Sequence, residues 1–143
     1  MNKLLLKLMM TAIVGNLVYI TDFAAQVSPT TKKAASVRIT KGPEVERVDP
    51  NFAIIRWTSN NPGGSPVHYG IVRFGTDRMK LDQTAKSPIR LNPIHPQTVF
   101  RVRVSDLKPG TTYYYIVEST EANGASDGVK SPVKRFTTAA PRP

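Results

Sequence analysis

Cysteine is absent from this chain, which excludes disulfides, thiolate metal sites, a cysteine nucleophile and a lipid-modified N-terminal cysteine. Stability must then come from packing alone. Histidine is nearly as scarce, and His68 and His95 are the whole supply of near-neutral general bases and imidazole ligands. Both have plain structural readings. His68 alternates with Val67 and Tyr69 and is expected at solvent or the sheet rim, while His95 sits between prolines in "LNPIHPQ". Helical periodicity is missing after the first 26 residues, so no Gly-rich loop leads into a helix to cradle phosphate. No nucleophile elbow is expected, because the one Gly-x-Ser-x-Gly run, Gly124 to Gly128, has no helical pattern after it, and Asp77, Asp82 and Asp106 lie in turn-like contexts where Asp serves the backbone. Ser126-Asp127-Gly128 lacks the alternating carboxylates of a calcium loop. From these absences no catalytic residue, metal ligand or cofactor site is expected.

Acidic residues are the other shortage. Ten Asp and Glu face 20 Lys and Arg, a net charge of +10 over 143 residues. Such a charge attracts acidic polymers and surfaces over long range and also serves solubility, without naming a ligand. The chain opens with "MNKLLLKLMMTAIVGNLVYITDFAAQ", in which Lys3 and Lys7 precede an apolar run from Leu8 to Ile20 and then Ala24 and Ala25. That is the layout of a secretory leader, so residues 1–26 are expected to direct export to the periplasm or outside the cell. The cleavage site departs from the pattern, because Asp22 or Phe23 stands where a small residue is wanted. An uncleaved membrane anchor is therefore the alternative. Without Lys3, Lys7 and Asp22 the balance is 18 against 9, so the remainder is basic in its own right.

Residues 27–35, "VSPTTKKAA", carry no periodicity and read as a polar linker. A single domain is expected from 36 to 139, with 140–143 as a tail. "SVRITKGPEVERVDP" alternates and breaks at Gly42-Pro43, as an interrupted edge strand does. "FAIIRWTS" puts Ala53, Ile55 and Trp57 on one face, and "TVFRVRVSDL" does the same for Phe100, Val102 and Val104. "VHYGIVRFG", "TTYYYIVEST" and "SPVKRFTT" are further strands, with "NNPGGSP" and "EANGASDGV" as loops. Six or seven short strands in roughly 100 residues imply an antiparallel β-sandwich. Tyr113, Tyr115 and Val117 then share the inward face, and Tyr113 behind "LKPGT" is placed to return its hydroxyl to the backbone as a tyrosine corner. Tyr114 points outward.

"LKPGTTYYYIV", the Trp of "IIRWTS" and the closing "FTT" resemble a fibronectin type III domain from Ser36 to Thr138. More narrowly, "IIRWTSN", "PVHYGIVRFG", "LKPGTTYYYIVES" and "SPVKRFTT" are similar to the N-terminal, non-catalytic module of purple acid phosphatases. The resemblance implies an all-β, seven-stranded antiparallel immunoglobulin-like sandwich with Trp57, Tyr69, Leu107 and Tyr113 as core markers. In those phosphatases a separate catalytic domain binds two metals through Asp, Asn, Tyr and His. Its Gly-Asp and Gly-His motifs are missing from this sequence, so phosphatase activity does not carry over.

The same arrangement pairs the Trp57 strand with the Val102 strand, so Arg56, Arg101 and Arg103 project from one outer face with Arg38 on the neighbouring edge strand. Arginine forks suit sulfate, phosphate and carboxylate. This stripe is the candidate polyanion-binding site, although alternating arginines also guard a sheet against aggregation. The loops 60–66 and 120–129 are expected at one end of the sandwich, where related folds present binding loops. The functional expectation is an exported, non-catalytic binding or spacer module for an extracellular protein or acidic polysaccharide. Its alternative is an accessory module of a separately encoded metallophosphatase. The scarcity of exposed aromatics and the leader argue against nucleic acid, and a membrane enters only if the leader stays attached.

Overall fold

The computed structural model describes residues 32–141 and 143. The stretch read as a leader lies outside them. Eight strands run in chain order: β1 (Ile39–Val48), β2 (Ala53–Asn60), β3 (Val67–Gly75), β4 (Gln83–Arg90), β5 (Gln97–Val104), β6 (Thr112–Glu121), β7 (Ser126–Lys130) and β8 (Lys134–Thr137). They build a three-stranded sheet, β1-β2-β5, and a second sheet in the order β4-β3-β6-β7, with β8 also pairing β6. All these pairings are antiparallel. The all-β sandwich expected from the alternation is what forms, with eight strands where seven were expected.

Two of the eight strands, β4 and β7, fall outside the segments read as strands, each for a specific reason. β4, "QTAKSPIR", buries no residue fully, so its alternation carries little hydrophobic signal. β7 is five residues long and lies inside the stretch read as a loop. Gly128 within it has φ 78°, a conformation that reads as a turn residue in sequence.

Alternation sets the core. β2 and β5 pair in continuous register from Ala53 opposite Val104 to Asn60 opposite Gln97. Ala53, Ile55 and Trp57 are thereby brought beside Val104, Val102 and Phe100, and all six are buried. The Trp57 and Phe100 rings stack at 5.1 Å. From the facing sheet, Val72, Phe74, Tyr113, Tyr115, Val117 and Phe136 complete the cluster, with Leu107 closing one end. Fully burying side chains of this size stabilises the fold by about 1.5–3 kcal/mol each. The tyrosine corner forms as expected, with the Lys108 backbone N–H donating to the Tyr113 hydroxyl at 3.0 Å.

One core marker is displaced. Tyr69 stands half-buried on the outer face of β3, with the Lys86 ammonium 5.3 Å from its ring centre. The reason is Gly70. A Cβ built there would come within 3.0 Å of both Trp57 and Phe100, so the glycine turns inward to leave room for the stacked rings. With a period of two, Tyr69 must face out and His68 must face in.

Candidate functional site

Loops 60–66 and 120–129 do meet at one end of the sandwich. The Ala122 N–H donates to the Val67 carbonyl, and Gly64 packs against the Glu121 carboxylate. Between them lies His68, wholly buried, where the alternation with Val67 and Tyr69 had placed it at solvent or the rim. Its Nδ1 is 2.8 Å from Asp127 Oδ2, and its Nε2 is 2.9 Å from the Gly63 carbonyl oxygen. Both neighbours are acceptors. Each ring nitrogen of His68 therefore has a buried oxygen partner, one of them a carboxylate.

Asp127 is equally enclosed. Burial by itself raises its carboxyl, but hydrogen bonding from His68 and Ser119, the His68 charge and Lys33 outweigh it, and Asp127 titrates below the usual carboxylate range. Ser119 Oγ and Asp127 Oδ1 are buried and make no hydrogen bond of good geometry among the described residues. The Ser119 contribution is therefore a near contact. Lys33 Nζ stands 3.3 Å from Asp127 Oδ1 and donates to Glu121 Oε1 at 2.6 Å, and the Lys33 ammonium is raised chiefly by the hydrogen bond to Glu121. Lys32 runs so close over Gly63 that a Cβ there would collide with the Lys32 carbonyl oxygen. The end of the stretch read as linker thus lies against this loop cluster. Because both ring nitrogens of His68 are engaged, neither presents a lone pair to a metal or a substrate proton. The cluster pins chain segments together.

The arginine stripe is present, and it is interleaved with acid. Arg56 and Arg101 are directly opposed across β2 and β5. Arg101 forks onto Glu46 through Nε and Nη2, each at 2.8 Å, and Arg56 Nη1 reaches Glu44 Oε1 at 3.4 Å. Arg103 lies flat on the Phe52 ring, 3.6 Å from its centre. Arg38 is exposed just before β1, where its backbone N–H donates to Asn60 Oδ1. The stripe therefore spends two of its four guanidinium groups on carboxylates of β1. Sequence reasoning missed this because it ended the alternation of this strand at the Gly42-Pro43 break, although Glu44 and Glu46 share a face by simple alternation and Glu44 stands opposite Arg56.

A different surface holds the uncompensated charge. On the outer face of the second sheet, Tyr114 and Ile116 of β6 are flanked by the β3–β4 turn and by the link from β7 to β8. Met79 is 90% exposed and Val133 36% exposed beside them. Arg73 is held by Glu118 at 3.0 Å, but Arg78 and Arg135 have no carboxylate partner among the described residues. Lys134 donates to the Pro43 carbonyl at 2.7 Å.

Residues 43–138 match the family model described as "Purple acid Phosphatase, N-terminal domain". The chain belongs to the purple acid phosphatase N-terminal domain family. The match spans the sandwich from the Pro43 break in β1 to buried Thr138, whose hydroxyl closes the domain by donating to the Lys108 carbonyl at 2.6 Å. No curated protein matches the chain. Among solved structures, it is similar to the sensor domain of the anti-sigma factor RsgI4 of Pseudobacteroides cellulosolvens. One structure of that domain is 17% identical, covering 76% of this chain and 92% of that one, with a TM-score of 0.49. Another is 20% identical over 73% and 94%, also at 0.49. A computationally redesigned β-sandwich protein is 19% identical over 72% and 95%, with a TM-score of 0.36.

Proposed function

We propose that this chain is an exported, non-catalytic module that binds acidic partners, an extracellular protein or an acidic polysaccharide, through cations its own acids leave free. One observation carries the reading. Among the described residues, only Asp77 and Asp106 of the carboxylates stand outside ion pairs, whereas Arg38, Lys41, Arg78, Arg90, Lys108 and Arg135 have no carboxylate partner. A module that needed charge only for solubility would do as well with its cations paired and interspersed. Here the surplus is of one sign and faces water. Membership of a family named for the domain preceding a phosphatase favours a second reading, an accessory module of a separately encoded metallophosphatase. The apolar leader supports export under either.

The test is retention of the purified protein on immobilised polyuronate, sulfated polysaccharide and polyglutamate across a salt gradient, beside an aryl phosphate assay with divalent metals. Retention that weakens steadily with salt, without phosphate release, is expected. An Arg56/Arg101/Arg103→Ser variant should keep most of the retention, because Glu44 and Glu46 already neutralise two of those groups. Failure to bind any acidic matrix at low salt would overturn the reading, and phosphate release would overturn its non-catalytic part.

A further inference from the structure

The geometry points to the outer face of the β4-β3-β6-β7 sheet as a docking surface for an acidic polypeptide segment that carries apolar side chains. This rests on the proposed binding of acidic partners and adds where it occurs and which polymer it suits. Two features coincide there. The first is charge: Arg78 and Arg135 have no carboxylate partner among the described residues, and Lys130 and Lys134 flank the same strip. Of the acids nearby, Glu118 is engaged by Arg73 at 3.0 Å and by Lys130 at 3.8 Å, while Asp77 accepts from the Met79 N–H at 2.8 Å and keeps its charge.

The second feature is an apolar floor. Ile116 lies on the outer face by strand alternation, outside the core cluster, and is buried there beneath its neighbours, among them Leu81 and Pro132. Met79 and Val133 stand exposed beside it, and Tyr114 continues the strip toward Arg135. The Tyr114 ring, with one apolar body and one polar tip, suits an interface that is greasy at its centre and wet at its rim.

Charge complementarity selects acid, and the apolar floor selects between acidic polymers. A polysaccharide of uronate or sulfate groups engages cations and gains nothing from an exposed methionine and valine. A polypeptide can place carboxylates on Arg78 and Arg135 while burying an aromatic or aliphatic side chain over Met79 and Val133. On the β1-β2-β5 face Arg56, Arg101 and Arg103 are tied to Glu44, Glu46 and Phe52.

The experiment compares the full-length protein's affinity for polyglutamate, for a random glutamate–tyrosine copolymer of matched charge, and for polyuronate. The copolymer should bind tightest, by about tenfold over polyglutamate, from partial burial of apolar area. Met79→Ser/Val133→Ser, both surface positions, should erase that preference and leave polyglutamate binding intact. Arg78→Ser/Arg135→Ser should weaken both polypeptides by about tenfold or more. Equal binding of copolymer and polyglutamate, or indifference to both double variants, would overturn this inference while leaving general acid binding in place. Binding of polyuronate as tight as the copolymer would overturn the choice of polypeptide. Failure to bind all three would overturn this inference and the proposed function together.

Discussion

Replacing His68 with alanine should unfold much of this domain's stability margin. The side chains of His68 and Asp127 are both wholly buried, 2.8 Å apart. Removing the imidazole leaves the Asp127 carboxylate facing only Lys33, at 3.3 Å from Oδ1 and partly in solvent, and strips the Gly63 carbonyl of its donor. Breaking a buried ion pair from one side costs about 3–5 kcal/mol because the partner stays buried and uncompensated, a large share of the 5–15 kcal/mol typical of a whole domain. Asp127→Asn keeps an acceptor for Nδ1 without the charge and should cost less, about 1–3 kcal/mol. Urea unfolding with a shared slope across variants reads both values. The pH dependence supplies a sharper check. Asp127 is lowered in the folded state, so its contribution is present above the ordinary carboxylate pKa of about 3.9 and is lost as pH falls through its lower folded value. The His68→Ala penalty should therefore shrink in acid. A loss under about 1 kcal/mol at neutral pH, or a penalty unchanged in acid, would refute the account of the pair.

Three further outcomes follow from the core. Trp57→Ala removes a ring stacked on Phe100 and 1% exposed, and should cost about 3–5 kcal/mol in urea unfolding, with a loss under about 1 contradicting the core assignment. Tyr113→Phe deletes only the hydroxyl that accepts from the Lys108 N–H, so thermal unfolding should report about 0.5–1.5 kcal/mol, and an unchanged midpoint would deny the corner any weight. Burial, with the Glu44 charge behind it, pushes the Tyr115 phenol up to about 12. Stability should thus be intact below the unfolded tyrosine pKa of about 10 and fall as pH rises from there; a phenolate absorbance titration in which Tyr115→Phe removes no late-titrating group would contradict this.

Much of the sandwich was legible because its signals are local. The alternation in "FAIIRWTS" and "TVFRVRVSDL" places six inward side chains, and all six are buried. "LKPGTTY" announces its corner within seven residues. The misreadings share a physical cause, which is that they depend on partners distant in sequence. In "VHYGIVRFG" both alternating sets contain large apolar residues, so burial of either face looked tenable. The deciding clue was available: Arg73 shares a face with Tyr69, while Val72 and Phe74 share one with His68. What no local pattern shows is Asp127, 59 residues further on, which makes a buried histidine tolerable. The Arg stripe was located correctly on β2 and β5, yet its neutralisation by Glu44 and Glu46 lies beyond the Gly42-Pro43 break at which the alternation of β1 was taken to stop. The uncompensated surface around Tyr114 was visible only as one outward-facing tyrosine, because its other members come from the β3–β4 turn and the β7–β8 link.

The most direct test of the central claim is a titration of the labelled protein with polyglutamate followed by amide NMR. The account predicts salt-sensitive shifts concentrated at Arg78, Tyr114, Ile116, Lys130 and Arg135, with the β2 and β5 residues around Arg56 and Arg101 nearly still. Shifts centred on Arg56 and Arg101, or no shifts at low salt, would contradict it.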